Sequence, residues 1–327
     1  MAFVHLHVHS QYSLLDGTAD VGQLAKAAVQ AGFTDLALTD TANLYGAVSF
    51  AKACKAAGLH PIIGAELHVQ PEGVAFDDNR REHGGYQLIA LVEDDIGYYN
   101  LCQLITAGIF EGMKYKPRID HELLRRHNEG LIFLTGGAKG VIGRFLERSS
   151  GEDGALRAFQ VLAGFLEPDQ LYVELCDVGL PGDERRNEVS RRIARATGYP
   201  MVVTNAVHYL TPEESAIHEV LHAISAGASL SDDRRVLCPT DQAWLKTEAD
   251  MRELFPEDGE AIDATAAIAA RCHFKFTFGQ YHFPATTPPD VAAAGLPEPD
   301  TFANWRYFYL AFPPPRDFGL PVPASVA

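Results

Sequence analysis

Short runs of apolar residues alternate with longer amphipathic stretches along most of the chain. Seven runs have the length and composition of strands, at residues 3–9, 35–39, 60–69, 86–93, 130–136, 170–176 and 200–205. Between them lie Ala-rich stretches such as VGQLAKAAVQAG and YGAVSFAKACKAAG, and both of these end at a glycine suited to a helix C-cap. This alternation is typical of parallel βα units rather than of a sandwich, and it predicts an α/β fold.

Seven strands with intervening helices indicate a closed or nearly closed barrel, whose functional residues lie at the carboxyl ends of the strands. Five polar residues fall near such ends, namely His7, His9, Asp40, Glu66 and His208. A doubly wound open sheet is the alternative, but no Gly-x-Gly-x-x-Gly follows any of the runs. We therefore favour the barrel.

The sequence pattern changes after residue 225. We predict a barrel over residues 1–225, a helical extension over 226–283 with a capped helix near Thr247, and a Pro-rich linker and tail over 284–327. Within the last part, TFANWRYFYLAF is aromatic enough to dock on this chain or on another. The sequence fits a stand-alone protein or a section of a longer one.

Composition narrows the class of protein. The chain has 327 residues, is 47% hydrophobic and can bury a core. Its five cysteines form no Cys-x-x-Cys pair, which favours a reducing cytoplasm over a disulfide framework. Neither a leader peptide nor a membrane span is indicated. A net charge of −16 argues against broad binding of nucleic-acid phosphates, so any contact with DNA is local or is made through a partner.

The first apolar run, FVHLHVHS, carries His5, His7 and His9 at alternate positions. Because side chains alternate between the two faces of a strand, a regular strand would direct all three imidazoles to one side. Imidazoles and carboxylates that converge from separate strands bind divalent cations. From this run alone, a metal site and a polar strand edge both remain open.

A second motif, HEVLH at residues 218–222, has the His-Glu-x-x-His spacing of zinc proteases. On a helix, His218 and His222 would share one face, with Glu219 placed to polarise a water molecule. No obvious third ligand follows in the continuing sequence AISAGASL. We therefore interpret the segment as an ordinary helix after the last strand.

Seven segments follow one another in the order of a known family. They are HLHVHSQYSLLDG, LALTDTANLYGAVSFAKACKAAGLHPIIGAELHV, IGYYNLCQLIT, KPRIDHELLRRHNEGLIFLTG, YVELCDVGLPGDERRNE, VVTNAVHYLTPEESAIHEVLHAI and WLKTEADMRELFPE. From residue 3 to about 284 the chain resembles the polymerase-and-histidinol-phosphatase (PHP) domain at the N-terminus of bacterial DNA polymerase III alpha subunits. The resemblance implies a distorted (β/α)7 barrel with up to three divalent metals at its mouth. In active relatives such a site hydrolyses phosphoesters, in some as a 3′–5′ exonuclease.

The resemblance implies a set of metal ligands that this chain keeps only in part. The positions that match are His7, His9, Asp16, Glu66, which would be the bridging carboxylate, and His208. Four ligand positions carry other residues, Thr41, Gln87, Gly137 and Ala206. Each missing donor costs on the order of a kcal/mol or more of metal affinity, so a full three-metal cluster is not expected.

Two outcomes for the retained histidines stay open. We predict either no cofactor or a single divalent cation, zinc, manganese or magnesium, on His7, His9 and Glu66. In the former case the imidazoles would hydrogen-bond to Asp16 or His208. His5 lies at a position that is not a ligand in the family and is expected to be structural, and Asp40 is interpreted as a helix-capping residue.

The resemblance also implies a function in DNA replication. We expect the N-terminal PHP module of a DNA polymerase III alpha-type protein, with a degenerate metal site. Such a module would act as a scaffold for the polymerase and for the proofreading exonuclease subunit of the polymerase III holoenzyme, and would contact DNA indirectly. The family is a DNA-directed DNA polymerase, a nucleotidyltransferase, but no palm-domain carboxylate motif is visible, so we expect no synthesis by this chain alone. A residual metal-dependent phosphoesterase or 3′–5′ exonuclease is the alternative.

Overall fold

A computed structural model of the chain describes residues 3–71, 85–113, 116–230 and 240–279, so the predicted tail at 284–327 lies outside the described residues. The strands are β1 Asp35–Leu38, β2 His60–Val69, β3 Tyr86–Val92, β4 Leu131–Leu134, β5 Leu171–Cys176 and β6 Met201–Thr204. The α-helices are α1 Val21–Gln30, α2 Ala47–Ala57, α3 Asp95–Phe110, α4 His121–Arg126, α5 Val141–Leu146, α6 Gly151–Ala163, α7 Asp183–Thr197, α8 Ser215–Ala226, α9 Glu248–Leu254 and α10 Gly259–Arg271. Within these ranges, no helix is both long enough and apolar enough to cross a bilayer.

The strands form one curled sheet in the order β1 to β6, which confirms the predicted α/β class. β3 is antiparallel to both of its neighbours, whereas the other pairs are parallel, so the expectation of parallel units throughout is wrong. The register of β2 and β3 runs from Gly64 opposite Leu91 to Val69 opposite Tyr86. A parallel connection between two strands needs a crossover, which is usually an α-helix. The sequence between β2 and β3 has no amphipathic helical pattern, which is consistent with their antiparallel pairing.

Residues 3–9 lie between the two edges of this sheet. On one side Val8 forms a parallel bridge with Val207, which follows β6. On the other side the Thr39 N–H, just after β1, donates to the Val8 carbonyl over 2.8 Å. The segment thus occupies the place of the predicted first strand, although it is bonded through bridges rather than a regular ladder, and it joins the two edges into a distorted barrel.

The three alternating histidines of this segment do not share one environment. His5 packs edge-on against Phe3 and Phe33, and its Nε2 donates to the Lys246 carbonyl over 2.8 Å. The expectation of one common face is wrong, because the irregular segment does not keep the period-two alternation of a strand. His5 has the structural role expected for its position.

An apolar cluster fills the barrel interior at the end where the parallel strands begin. Its members are Val4, Leu6, Ala37, Ile62, Ile89, Leu91, Ile132, Leu134, Val202, Ile268, Ala269 and Cys272. Ile268 and Ala269 belong to α10 and Cys272 is its C-cap, all in the predicted helical extension. Thr265 Oγ1 of the same helix also accepts a hydrogen bond from the Val4 N–H over 3.0 Å. The extension is therefore packed against the barrel itself.

Contacts divide the chain into two compact units. The first is Met1–Phe276, and the second, Thr277–Ala327, lies almost wholly outside the described residues. The predicted boundaries after residues 225 and 283 stay predictions.

Candidate metal centre

The mouth of the barrel, where the parallel strands end, holds two clusters of potential metal ligands. The first consists of His7, His9 and Glu66, and the second of Asp16, His208 and His218. The clusters adjoin each other, because the rings of His9 and His208 stack with their centroids 4.3 Å apart. All five residues that the sequence pointed to are thus brought together, while their role as ligands stays a prediction.

The donor atoms of the first cluster have the separations that one small cation requires. His7 Nε2 and His9 Nε2 are 3.2 Å apart, and each lies 3.7 Å from Glu66 Oε2. Donors that each bind a tetrahedral zinc at about 2.1 Å are about 3.4 Å from one another. The three buried side chains therefore fit a single divalent cation.

Glu174, in β5, orients the ring of His7 from behind. Its Oε1 accepts a hydrogen bond from His7 Nδ1 over 2.8 Å, and its Oε2 accepts from the Gly136 N–H over 2.6 Å. The Thr204 hydroxyl donates to the same carboxylate. Because Nδ1 is engaged here, Nε2 of His7 faces the cluster, and a buried carboxylate behind a histidine ligand is the usual companion of a metal site. Sequence analysis missed Glu174, although an acidic residue inside the apolar run LYVELC was a usable signal.

Ser13 and Asp40 orient His9 in a similar way. Ser13 Oγ donates to Asp40 Oδ1 over 2.6 Å, and it therefore accepts from His9 Nδ1, which lies 2.9 Å away. Asp40 also accepts from the backbone N–H and the hydroxyl of Ser10, over 2.7 and 2.8 Å. The interpretation of Asp40 as a helix cap is wrong, because α2 begins only after Gly46 and Asp40 instead orders the loop behind His9.

Burial and nearby charges give these two histidines different protonation states. Burial acts to lower the pKa of His7, but the carboxylates of Glu174 and Glu66 outweigh it and raise the pKa to about 9. Burial, followed by the neighbouring His208, lowers the pKa of His9 to about 3. In the metal-free chain His7 therefore donates a proton from Nε2 toward His9 Nε2. That proton must leave before His7 can bind a cation.

Gln87 and Thr41, at two positions where the resemblance implies a lost ligand, both donate to Glu66. Gln87 Nε2 lies 2.7 Å from Glu66 Oε1, and Thr41 Oγ1 donates to the same oxygen over 3.2 Å. Gln87 reaches this oxygen because β3 runs antiparallel, so its first residues lie at the mouth opposite the end of β2. One oxygen of Glu66 thus faces the histidines, while the other is satisfied by neutral groups.

A cavity of about 130 Å³ lies beside Gly137 and Ala206, the other two positions where the resemblance implies a lost ligand, and neither residue presents a donor side chain to it. Ala206 has a left-handed backbone, with φ of 45°, as do Leu15 at 61° and Ala42 at 51°. Ala206 lines the cavity, and Leu15 and Ala42 directly precede and follow Asp16 and Thr41, respectively, at the mouth. A left-handed backbone costs an L-residue roughly 1–2 kcal/mol, and such strain concentrates at functional sites.

α8 brings two histidines to the carboxylate of Asp16. His218 Nε2 lies 3.0 Å and His222 Nε2 3.2 Å from Asp16 Oδ1, while His208 Nε2 lies 3.5 Å from Oδ2. Burial acts to raise the pKa of Asp16, but His208 and the hydrogen bonds from the other two imidazoles hold it well below its usual range. The interpretation of HEVLH as an ordinary helix is therefore incomplete, since both of its histidines converge with residues that precede the motif.

Comparison with known proteins shows one family. A family model described as PHP domain matches residues 5–177. The chain is 40% identical over 280 residues to the DNA polymerase III subunit alpha of Treponema pallidum, 38% over 301 residues to that of Thermus aquaticus and 36% over 293 residues to that of Escherichia coli. These matches cover 84–89% of the chain and 24% of each relative, so the chain spans about a quarter of the length of these curated relatives.

Solved structures give more distant likenesses. An amidohydrolase from Chromobacterium violaceum matches with a TM-score of 0.43 and 13% identity, over 63% of this chain and 88% of that one. A two-domain protein from Bacteroides vulgatus, described as containing a predicted PHP-like metal-dependent phosphoesterase, matches with a TM-score of 0.41 and 12% identity, over 76% and 62% of the two chains.

Proposed function

The chain belongs to the PHP domain family, and from this premise we propose that it is the PHP module of a DNA polymerase III alpha-type protein and acts in DNA replication as a non-catalytic scaffold. In this role it supports the polymerase and the proofreading exonuclease subunit in the cytoplasm, and it contacts DNA indirectly. The relatives of which it spans about a quarter support the assignment to replication.

The hydrogen bonds to Glu66 are the main support for a non-catalytic role. Metal-dependent phosphoester hydrolysis uses closely spaced cations, which generate hydroxide from water and neutralise the charge that develops on the phosphoryl oxygens. Glu66 Oε1 accepts hydrogen bonds from Gln87 and Thr41, so this carboxylate offers only Oε2 to a cation. The first cluster thus supports one ion, held by His7, His9 and Glu66, whose charge would fix these three side chains at the mouth.

One observation favours the alternative, a residual metal-dependent phosphoesterase. The stacked rings of His9 and His208 place the two clusters side by side, as a two-cation mechanism requires. Each cluster, however, has its own carboxylate, Glu66 in the first and Asp16 in the second. The oxygen of Glu66 that a second cation would need, Oε1, accepts hydrogen bonds from Gln87 and Thr41, which weighs against a carboxylate shared by two cations.

Hydrolysis assays separate these two functions. The purified chain is incubated with Mn²⁺ or Zn²⁺ and either bis(p-nitrophenyl) phosphate or end-labelled single-stranded DNA, beside the His9→Ala variant. We expect the same background rate for both proteins. Metal-dependent turnover that His9→Ala abolishes would contradict the non-catalytic assignment.

Binding assays test the scaffold role. The chain is titrated with the purified proofreading exonuclease subunit and, separately, with the polymerase region of an alpha subunit, both from the same source as the chain. We expect a saturable complex with each in analytical ultracentrifugation. Failure to bind either partner would rule out the scaffold role, whatever the hydrolysis assay shows.

A further inference from the structure

We propose that Asp16, His208, His218 and His222 form a structural zinc site that fastens α8 to the mouth of the barrel. This site has donors of its own, distinct from His7, His9 and Glu66. It does not depend on the scaffold role.

The positions of the donor atoms are the first argument. The Nε2 atoms of His218, His222 and His208 lie 3.0, 3.2 and 3.5 Å from the oxygens of the Asp16 carboxylate. These values are close to the separation of about 3.4 Å between two ligands of a tetrahedral zinc. The ligand atoms of Asp16, His208 and His218 also lie within 4.8 Å of one another. A cation among these three could also bind His222 if that side chain, which contacts Asp16 Oδ1 over 3.2 Å, turned toward His208.

The hydrogen bonding of His208 is the second argument. Its Nδ1 lies 2.7 Å from the Ala206 carbonyl oxygen, which can only accept, so Nδ1 carries a hydrogen. Nε2 of the same ring is left to face Asp16 Oδ2, which lies 3.5 Å away. A backbone carbonyl bound to the second ring nitrogen is also the usual support of a histidine ligand.

The weak apolar attachment of α8 is the third argument. The buried residues of this helix are His218 and Ala223, while Ile217 and Ile224 are 53% and 57% exposed. The hydrophobic effect therefore contributes little to holding α8 on the barrel. Its histidine face makes the contact instead, and an ion bound there would link α8 to His208 and to Asp16, which lies 202 residues before His218.

The chemistry of the donors selects zinc. Three imidazoles and one carboxylate suit zinc, whereas calcium and magnesium prefer oxygen ligands. Four donors from the protein complete a tetrahedral shell and leave no open position for a substrate. Such closed sites are structural, and the binding free energy contributes to folding.

Zinc affinity of histidine variants tests the proposal. All variants are made in the full 327-residue chain with His7→Ala, so that the first cluster has lost a donor, and zinc is titrated in competition with a chromophoric chelator. We expect one zinc per chain with the parent, and an affinity at least tenfold lower with His218→Ala and with His222→Gln. The exposed His273 provides the matched control, and His273→Ala should bind zinc like the parent. Equal affinity in all four proteins, or none in the parent, would overturn the proposal.

Two further measurements distinguish ligand loss from misfolding. The amide of His222→Gln can still donate to Asp16, so in the presence of a chelator this variant should unfold at the urea concentration of the parent. In hydrogen exchange, zinc should slow the amides of α8 in the parent and leave them unchanged in His222→Gln. If zinc binds the parent but does not slow α8, the fastening role is wrong. If His222→Gln is unfolded without metal, His218→Asn is measured in its place under the same criteria.

Discussion

Glu174 Oε1 lies 2.8 Å from His7 Nδ1, and this contact decides which nitrogen of His7 faces the first cluster. The carboxylate is itself held by the Gly136 N–H and the Thr204 hydroxyl, so it cannot turn away without breaking several hydrogen bonds. His7 is thereby oriented before any cation arrives.

Replacing Glu174 should weaken cation binding at the first cluster without touching a ligand. Removal of a carboxylate behind a ligating histidine typically lowers metal affinity 10- to 100-fold. We expect a loss in this range for Glu174→Gln, measured by zinc competition in a His218→Ala background that has lost a donor of the second cluster. Glu253→Gln, at an exposed glutamate, is the control. An unchanged affinity would show that Glu174 does not support the site.

Placing imidazoles at the two positions beside Glu66 where the resemblance implies lost ligands should add a cation. The double variant Thr41→His with Gln87→His replaces both neutral donors to Glu66 Oε1 by histidine. We expect about one more bound divalent ion per chain than in the unchanged protein, measured by elemental analysis. The pair Thr41→Val with Gln87→Leu removes the same hydrogen bonds without adding ligands and should bind no additional ion. A folded double-histidine variant with unchanged metal content would refute this account of Glu66.

The stability of the fold should depend on the protonation of His5. Burial lowers the pKa of His5 to about 4, compared with about 6.5 in an unfolded chain. Between these values the unfolded state binds the additional proton, so the contribution of His5 to stability is lost as the pH falls from 6.5 to 4. A shift of this size corresponds to roughly 3 kcal/mol.

Urea unfolding at several pH values, with a chelator present, measures this effect. The control is His5→Gln, which does not titrate and keeps a donor for the Lys246 carbonyl. We expect the unchanged protein to lose more stability than His5→Gln between pH 6.5 and 4. Parallel pH profiles would mean that His5 does not remain neutral in the folded chain.

Truncating Ile268 should destabilise the whole barrel. This α10 side chain is fully buried in the cluster inside the barrel. A buried isoleucine replaced by alanine typically costs 2–5 kcal/mol of unfolding free energy, through lost burial and the cavity that remains. We expect this loss for Ile268→Ala in urea unfolding, against about 0.5 kcal/mol or less for the exposed Ile224→Ala. Similar midpoints for the two variants would show that α10 is not part of the barrel core.

The pattern of apolar runs was sufficient to locate the strands, because each run is a local property of the chain. The predicted run at 60–69 coincides with β2, and those at 35–39 and 86–93 each exceed the observed strand by one residue. The direction of β3 was not predictable in this way, because direction depends on pairing between segments and not on the composition of either one.

Residues of the site could be grouped from the sequence only where the resemblance to the PHP family indicated which residues lie together. His7, His9 and Glu66 were grouped through the family, whereas Glu174 and His222 act through contacts between segments more than 160 residues apart. The histidines of HEVLH were not predicted to be ligands, because a third ligand was expected in the residues that follow the motif. Their carboxylate partner, Asp16, lies 202 residues before His218.

The two hydrogen bonds to Glu66 Oε1 also affect how this protein can evolve. A single change of Thr41 or Gln87 to histidine would disturb a buried hydrogen bond while the other neutral donor still occupied the same oxygen. Leaving a buried polar group unsatisfied costs about 1–3 kcal/mol. Each step toward a multi-ion site would therefore be unfavourable until the second was made, so such a site is difficult to reach one mutation at a time.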